Sequence, residues 1–232
     1  MRFFSESLTR KNKNMKTHLI VLLAGGLLYP PLASAAENKS AATPGRISVF
    51  KAPLVCPAAP QIGCGSASKP ILLDLERQPG VLEAWLNRAG TRIAVVWKTD
   101  ANAGTRSKVA ADLKEDRVIE LDGKPREEAV TDFLSGKGWY HGADVDRLSE
   151  EEAGIISARL VHRVEAKTTL AKKKAERLQE VLAAALRKCF TEPGSQERLP
   201  VRQLTGDFLD EKQIVILEQA INQGVRPLPN EQ

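Results

Sequence analysis

Three cysteines, Cys56, Cys64 and Cys189, have the most distinctive side-chain chemistry in this 232-residue chain. Cys56 and Cys64 are separated by seven residues, and Cys64 lies in a run of mostly small residues, 62–68. A thiolate is both a nucleophile and a soft metal ligand. Two thiolates that converge would therefore hold a soft metal ion, take part in thiol redox chemistry, or close a disulfide.

Cys189 belongs to a different pattern, because it shares a helical apolar stripe with Leu182 and Leu186. A free cysteine on such a stripe is typically a small buried apolar residue. An intermolecular disulfide and a third metal ligand are the alternatives for this thiol.

The segments around the first two cysteines predict alternating strands and helices. Strands are predicted at 46–50, 81–86, 91–98 and 117–121, and helices at 69–77 and after Thr105 or Ser107. The resulting order, β-α-β-β-α-β, is that of a ferredoxin-like fold. The sequence thus predicts an α+β protein whose residues 46–123 form a four-stranded antiparallel sheet with two helices on one face.

Residues 64–121 resemble a heavy-metal-associated domain, the fold of small copper and mercury carriers and of the N-terminal modules of metal-pumping ATPases. In that family Gly-Met-x-Cys-x-x-Cys opens the first helix, and a Gly-Val pair follows the helix. Here Gly80-Val81 matches the pair, and Cys64 takes the place of the first cysteine. The resemblance implies that the chain binds or carries Cu(I) or Hg(II).

The motif is degenerate, since Ala67 stands at the second cysteine position and Ile62 at the methionine position. Soft ions are well held by two thiolates, so Cys56 is the candidate second ligand, folded back over Cys64. The same spacing also suits a Cys56–Cys64 disulfide. That alternative predicts a non-catalytic structural or interaction protein with a decayed metal motif, and a thiol-based redox partner is a third hypothesis.

The remaining residues, 124–232, predict a helical extension. A short helix is predicted at 125–136, followed by a glycine-bracketed aromatic loop at 136–142. Residues 149–152 resemble a capping box for a long helix at about 150–190, whose charged middle is either solvated or a break that makes a hairpin. The apolar stripe of this helix predicts self-association or the docking of a protein partner. Asp207 or Asp210 is expected to cap a final helix.

The first 35 residues predict a secretory signal peptide, and 36–45 predict a disordered spacer. This indicates a periplasmic or secreted protein, with no stable membrane insertion after cleavage. The whole chain has a formal net charge of +5, but the leader holds five basic and one acidic side chain. The remainder is nearly neutral at +1, so nucleic-acid binding is not predicted.

Catalytic residue patterns are absent from the sequence. Only His141 and His162 follow the predicted leader, and neither belongs to a Ser/His/Asp arrangement. His162 with Glu165 is the pattern of a surface contact on a helix. The chain is therefore not predicted to be an enzyme, and the candidate site consists of Cys56 and Cys64.

Overall fold

A computed structural model describes residues 42–192 and 199–231. The predicted signal peptide and most of the predicted spacer lie outside these residues. Within them the protein has five β-strands and seven α-helices, which confirms the α+β class. None of the helices in the described ranges is both long and apolar enough to cross a membrane.

The elements between residues 46 and 123 follow one another in the predicted order, and several of the elements after them differ from the prediction. The strands are β1 (Ile47–Lys51), β2 (Val81–Asn87), β3 (Arg92–Trp97), β4 (Ile119–Glu120) and β5 (Trp139–His141). The helices are α1 (Gly65–Arg77), α2 (Ala103–Glu115), α3 (Gly123–Leu134), α4 (Asp146–Glu165), α5 (Lys172–Thr191), α6 (Val201–Thr205) and α7 (Glu211–Asn222). Helix α1 begins four residues earlier than predicted, because the small residues after Cys64 form its first turn.

The sheet is antiparallel, with the strand order β4-β1-β3-β2-β5. The aromatic segment 139–141, predicted to be a loop, is instead strand β5 and pairs with β2. Trp139 is buried on this strand and contacts Phe133 edge-on, with ring centroids 5.2 Å apart. Pairing with β2 satisfies the backbone of the segment while its tryptophan joins the core.

The sheet is covered by helices on both faces, which differs from the predicted two-layer sandwich. Apolar residues of α1 and α2 belong to the core cluster that includes Ile93, Val95 and Trp97 of β3. The opposite face, which includes Ala94 and Val96 of that strand, is packed by α3. A strand buried on both faces must be apolar throughout, and this accounts for the run of apolar residues in β3.

The helix predicted at about 150–190 is two helices, α4 and α5, which pack against each other. The chain therefore adopts the hairpin alternative, and the break falls at 166–171. Leu160 of α4 and Leu178 and Leu182 of α5 are all fully buried. Folding back at the weakly apolar middle lets both apolar groups share one core, so the stripe predicted to mediate self-association is largely occupied within the chain.

The sequence predicted the start of the last helix, α7, correctly, but not the start of α4. The predicted capping box at 149–152 is wrong, because α4 begins at Asp146 and Ser149 lies inside the helix. The final helix, α7, begins as predicted after Asp210, whose side chain accepts a hydrogen bond from the Gln213 backbone N–H at 2.8 Å.

Candidate dithiol site

A short antiparallel bridge brings the two candidate cysteines together. Val55 pairs with Gly63. On either side of that pair, the Cys56 N–H donates to the Ile62 carbonyl at 2.9 Å and the Cys64 N–H donates to the Leu54 carbonyl at 2.8 Å. Because side chains alternate along extended backbone, Cys56 and Cys64 project from the same face of this bridge.

Glycines beside this bridge permit its close contact with the turn between β2 and β3. A Cβ atom on Gly63 would lie 2.9 Å from the Cα of Gly90. Gly90 itself has a φ of +70°, and a Cβ there would lie 2.4 Å from the Leu54 carbonyl oxygen. The loop between β1 and α1 carries both cysteines and is called the cysteine loop below. It is held against the sheet by backbone contacts that larger residues would prevent.

Cys64 occupies the N-cap position of α1, with extended backbone angles. Its sulfur lies 3.5 Å from the Ser66 hydroxyl oxygen, and its carbonyl accepts a hydrogen bond from the Ser68 hydroxyl at 2.5 Å. The positive end of the helix dipole favours a negative charge at this position. The pKa of Cys64 is lowered to about 5, mainly by the hydrogen bond from Cys56, with further contributions from the hydroxyl and backbone amide of Ser66.

Glu152 of α4 completes a cluster of three potential metal donors. The sulfurs of Cys56 and Cys64 and a carboxylate oxygen of Glu152 all lie within 4.8 Å of one another. Cys56 is fully buried, Glu152 is 6% exposed, and Cys64 is partly exposed. Among the described residues, one carboxylate oxygen of Glu152, Oε2, has no hydrogen-bond partner. The cluster thus has one side accessible to solvent and a buried acidic group beneath it.

The protons in this cluster are distributed unequally. The pKa of Cys56 is raised, first by its hydrogen bond to Cys64, then by burial and by the neighbouring Glu152. Burial raises the pKa of Glu152, the hydrogen bond with Cys56 partly opposes this, and the negative charge on Cys64 raises it further. One negative charge is therefore favoured on Cys64, while Cys56 retains its proton. In the described structure all three cysteines are free thiols.

Helix α4 is fixed against the cysteine loop from several directions. Lys69 of α1 forms an ion pair with Asp146 at the start of α4, and Arg88 of the β2–β3 turn forms one with Glu151. Further along α4, Arg159 donates a hydrogen bond to the carbonyl of Ala58 at 2.7 Å. These contacts place Glu152 beside the sulfurs, although it is 88 residues from Cys64 and 96 from Cys56 in sequence.

Both predicted site residues are in the cluster, whereas Cys189 is on α5 and outside it. Sequence analysis did not identify Glu152 as a site residue. The signal for it is helical phase, because Glu152 interrupts an i, i+4 series of fully buried apolar residues that includes Leu148 and Ile156. A carboxylate in such a series must be buried, and a buried carboxylate requires a partner or a function.

The donor atoms lie close enough together to reach a single metal ion. A zinc–sulfur bond is ~2.3 Å long, so two sulfurs on one such ion lie roughly 3.8–4.6 Å apart. All three donor atoms lie within 4.8 Å of one another, an upper bound that includes this range.

Comparison of the chain with protein-family models, with curated proteins and with solved structures found no match.

Proposed function

We propose that this protein binds a soft heavy-metal ion, Cu(I) or Hg(II), through the thiolates of Cys56 and Cys64. The observation that carries the proposal is the convergence of these two sulfurs with a Glu152 oxygen within 4.8 Å. Thiolate ligands select soft ions, and two of them suffice for Cu(I) or Hg(II). Glu152 is a third donor, or a nearby charge that balances the cation.

The protonation of the cluster suits metal capture. Cys64 supplies a thiolate at neutral pH, because its pKa is about 5. Cys56 must lose its proton when the ion binds, since only the thiolate is a strong ligand. The adjacent Glu152, whose own pKa is raised by burial, is positioned to accept that proton. Metal binding would then release a proton to solvent by way of the carboxyl group.

The partial exposure of Cys64 favours carriage over permanent storage. A ligand that solvent reaches can be approached by a thiolate of another molecule, whereas Cys56 is inaccessible. We infer that residues 46–123 follow the ferredoxin-like plan of heavy-metal-associated carriers, on the order β1-α1-β2-β3-α2-β4 along the chain. Export to the periplasm, and exchange of the ion with a protein partner, are parts of the same proposal.

The proposal is tested by counting thiols before and after metal addition. We expect metal-free Cys189→Ser protein to show two reactive thiols when it is denatured. One equivalent of Hg(II), added before the thiols are counted, should protect both of them. Cys56→Ser and Cys64→Ser in that background should each weaken binding at least tenfold in a competition titration. Two thiols that remain reactive at one equivalent would overturn the metal proposal. No free thiols at the outset would favour the disulfide-bonded interaction protein.

A further inference from the structure

Three features of the dithiol site exceed what a two-thiolate metal site requires. The two sulfurs differ in exposure, with Cys56 buried and Cys64 partly accessible. Cys64 lies at the N-cap of a 13-residue helix, α1. Glu152 is buried beside the inaccessible sulfur, and its Oε2 finds no hydrogen-bond partner in the described part of the chain. This asymmetry suits thiol–disulfide exchange, which uses an accessible attacking thiol, a second thiol that resolves the mixed disulfide, and a group that accepts a proton.

We propose that the site exchanges its two thiols with the exposed disulfide of another molecule. In this exchange Cys64 is the attacking thiol, Cys56 is the resolving thiol, and Glu152 accepts the proton of Cys56. The assignment uses the same residues as the proposed metal site, but it does not depend on metal binding.

In the first step, the Cys64 thiolate attacks one sulfur of a disulfide R–S–S–R′. A bond forms between Cys64 Sγ and the sulfur of R, the substrate S–S bond breaks, and R′–S⁻ leaves with the electron pair. Cys64 is the attacking group because it is partly exposed and lies at the N-cap of α1, where the helix dipole favours a thiolate. The fully buried Cys56 cannot reach a substrate of this kind.

In the second step, Cys56 resolves the mixed disulfide. Its proton passes to Glu152, and the resulting thiolate attacks Cys64 Sγ and expels R–S⁻. The proton on Glu152 then reaches the departing thiolate by way of solvent. The substrate disulfide is thereby reduced to two thiols, and Cys56 and Cys64 are oxidised to one disulfide, so atoms and electrons balance. A reduced dithiol reverses the same steps and regenerates the protein.

Glu152 is assigned the proton in the second step by its position. The sulfurs of Cys56 and Cys64 and a Glu152 oxygen lie within 4.8 Å of one another. Once Cys64 has formed the mixed disulfide, its sulfur carries no negative charge that could accept a hydrogen bond from Cys56. Glu152 is 6% exposed, and its Oε2 has no hydrogen-bond partner in the described ranges. Of the groups in the cluster, the Glu152 carboxylate is then the one that can take the proton of Cys56.

The experiment uses chelator-treated protein in a Cys189→Ser background, so that only the two site thiols react. Oxidised glutathione and insulin serve as a small and a protein disulfide, and acid-quenched samples are analysed by mass spectrometry. We expect Cys56→Ser to accumulate a mixed disulfide on Cys64, while the two-cysteine protein proceeds to the Cys56–Cys64 disulfide. A faster reaction with glutathione than with insulin, or the reverse, identifies the preferred source of the disulfide.

Glu152→Gln isolates the proton transfer, with Glu150→Gln as its exposed control on the same helix. We expect Glu152→Gln to leave the first step within about twofold and to slow the second step roughly tenfold or more. Equal rates for the two variants in the second step would overturn the role of Glu152. If neither disulfide substrate modifies Cys64 faster than a denatured sample, the exchange proposal fails. Because no metal is present, that failure is separate from failure of the Hg(II) titration.

Discussion

Gly65 and Ser149 are in direct contact between α1 and α4. A Cβ atom on Gly65 would lie 2.4 Å from the Ser149 hydroxyl oxygen and 2.7 Å from the Val145 carbonyl oxygen. Gly65 follows Cys64 in sequence, and Ser149 lies one turn before Glu152 on α4. This contact therefore sets the distance between the thiolate at the start of α1 and the carboxylate of α4.

The close contact at Gly65 predicts that Gly65→Ala moves Cys64 away from Glu152. The new methyl group overlaps backbone atoms of α4 that cannot rotate away, so we expect a loss of stability of about 1–3 kcal/mol. Hg(II) affinity should fall together with stability, measured by denaturant unfolding and by competition titration.

Gly154→Ala is the matched control for this substitution. Gly154 is in α4, the helix that Gly65 of α1 contacts, but a Cβ at Gly154 meets nothing within 4 Å. Replacing glycine by alanine in an open helical position stabilises a protein by roughly 0.5–1 kcal/mol. Equal effects of the two substitutions would contradict the proposed role of close packing at Gly65.

The pKa of Cys64 predicts unusual reactivity towards alkylating agents in mild acid. We expect the rate of iodoacetamide labelling at Cys64 to rise with a midpoint at about pH 5. An ordinary exposed cysteine would instead titrate at ~8.5. Peptide mapping after pulsed labelling separates Cys64 from Cys189.

The same measurement in Cys56→Ala tests the cause of that shift. Loss of the thiol donor removes the largest stabilising interaction of the Cys64 thiolate, so its midpoint should rise towards the ordinary value. An unchanged midpoint would assign the shift to the helix N-terminus and Ser66 instead.

Local patterns in the sequence account for most of the secondary structure but not for the surroundings of the site. The apolar run in 91–98 and the apolar spacing in 69–77 each correspond to an observed element, because both signals depend on neighbouring residues. The pairing of 139–141 with β2 depends on a free sheet edge created by distant residues. Short-range periodicity carries no information about such an edge.

The candidate site could likewise be predicted from the sequence only in part. Cys56 and Cys64 are close in sequence, and three prolines between Lys51 and Gln61 indicate a loop, so their convergence is predictable. Glu152 lies on a helix that reaches the site only because the chain folds back at 166–171. Sequence analysis placed Glu152 in a capping box, where its charge would complement the positive end of the helix dipole, and so missed its burial.

Arg159 is expected to control access to Cys56. Its guanidinium donates to the Ala58 carbonyl and to the Val225 carbonyl, both at 2.7 Å, and so ties the cysteine loop to the segment after α7. Arg159→Ala leaves both carbonyls without this donor, which should cost about 1–3 kcal/mol. We expect faster alkylation of Cys56 in native protein. Arg202→Ala, which removes an exposed arginine paired with Glu211, should leave that rate unchanged.

Arg163 and Glu231 form a mostly buried ion pair. The stability that this pair contributes should depend on pH. Arg163 Nε lies 2.7 Å from one Glu231 oxygen, and Arg163 Nη2 lies 2.8 Å from the other. Their side chains are only 4% and 10% exposed. The adjacent Arg163 guanidinium lowers the pKa of Glu231 to about 2. Glu231→Gln would leave a buried arginine without its counter-ion, so we expect a loss of roughly 3 kcal/mol at pH 7.

The sign of the pH effect follows from the lowered pKa of Glu231. A carboxylate with a depressed folded-state pKa contributes stability above its unfolded pKa, and that contribution is lost as the pH falls. Above about pH 5 the unsubstituted protein should thus exceed Glu231→Gln in unfolding free energy by the whole contribution of the ion pair. This difference should shrink as the pH falls towards 2. Glu211→Gln, at an exposed ion pair, should show little difference at any pH. A Glu231→Gln effect that is constant from pH 7 to pH 2 would mean that the lost stability comes from packing rather than from charge.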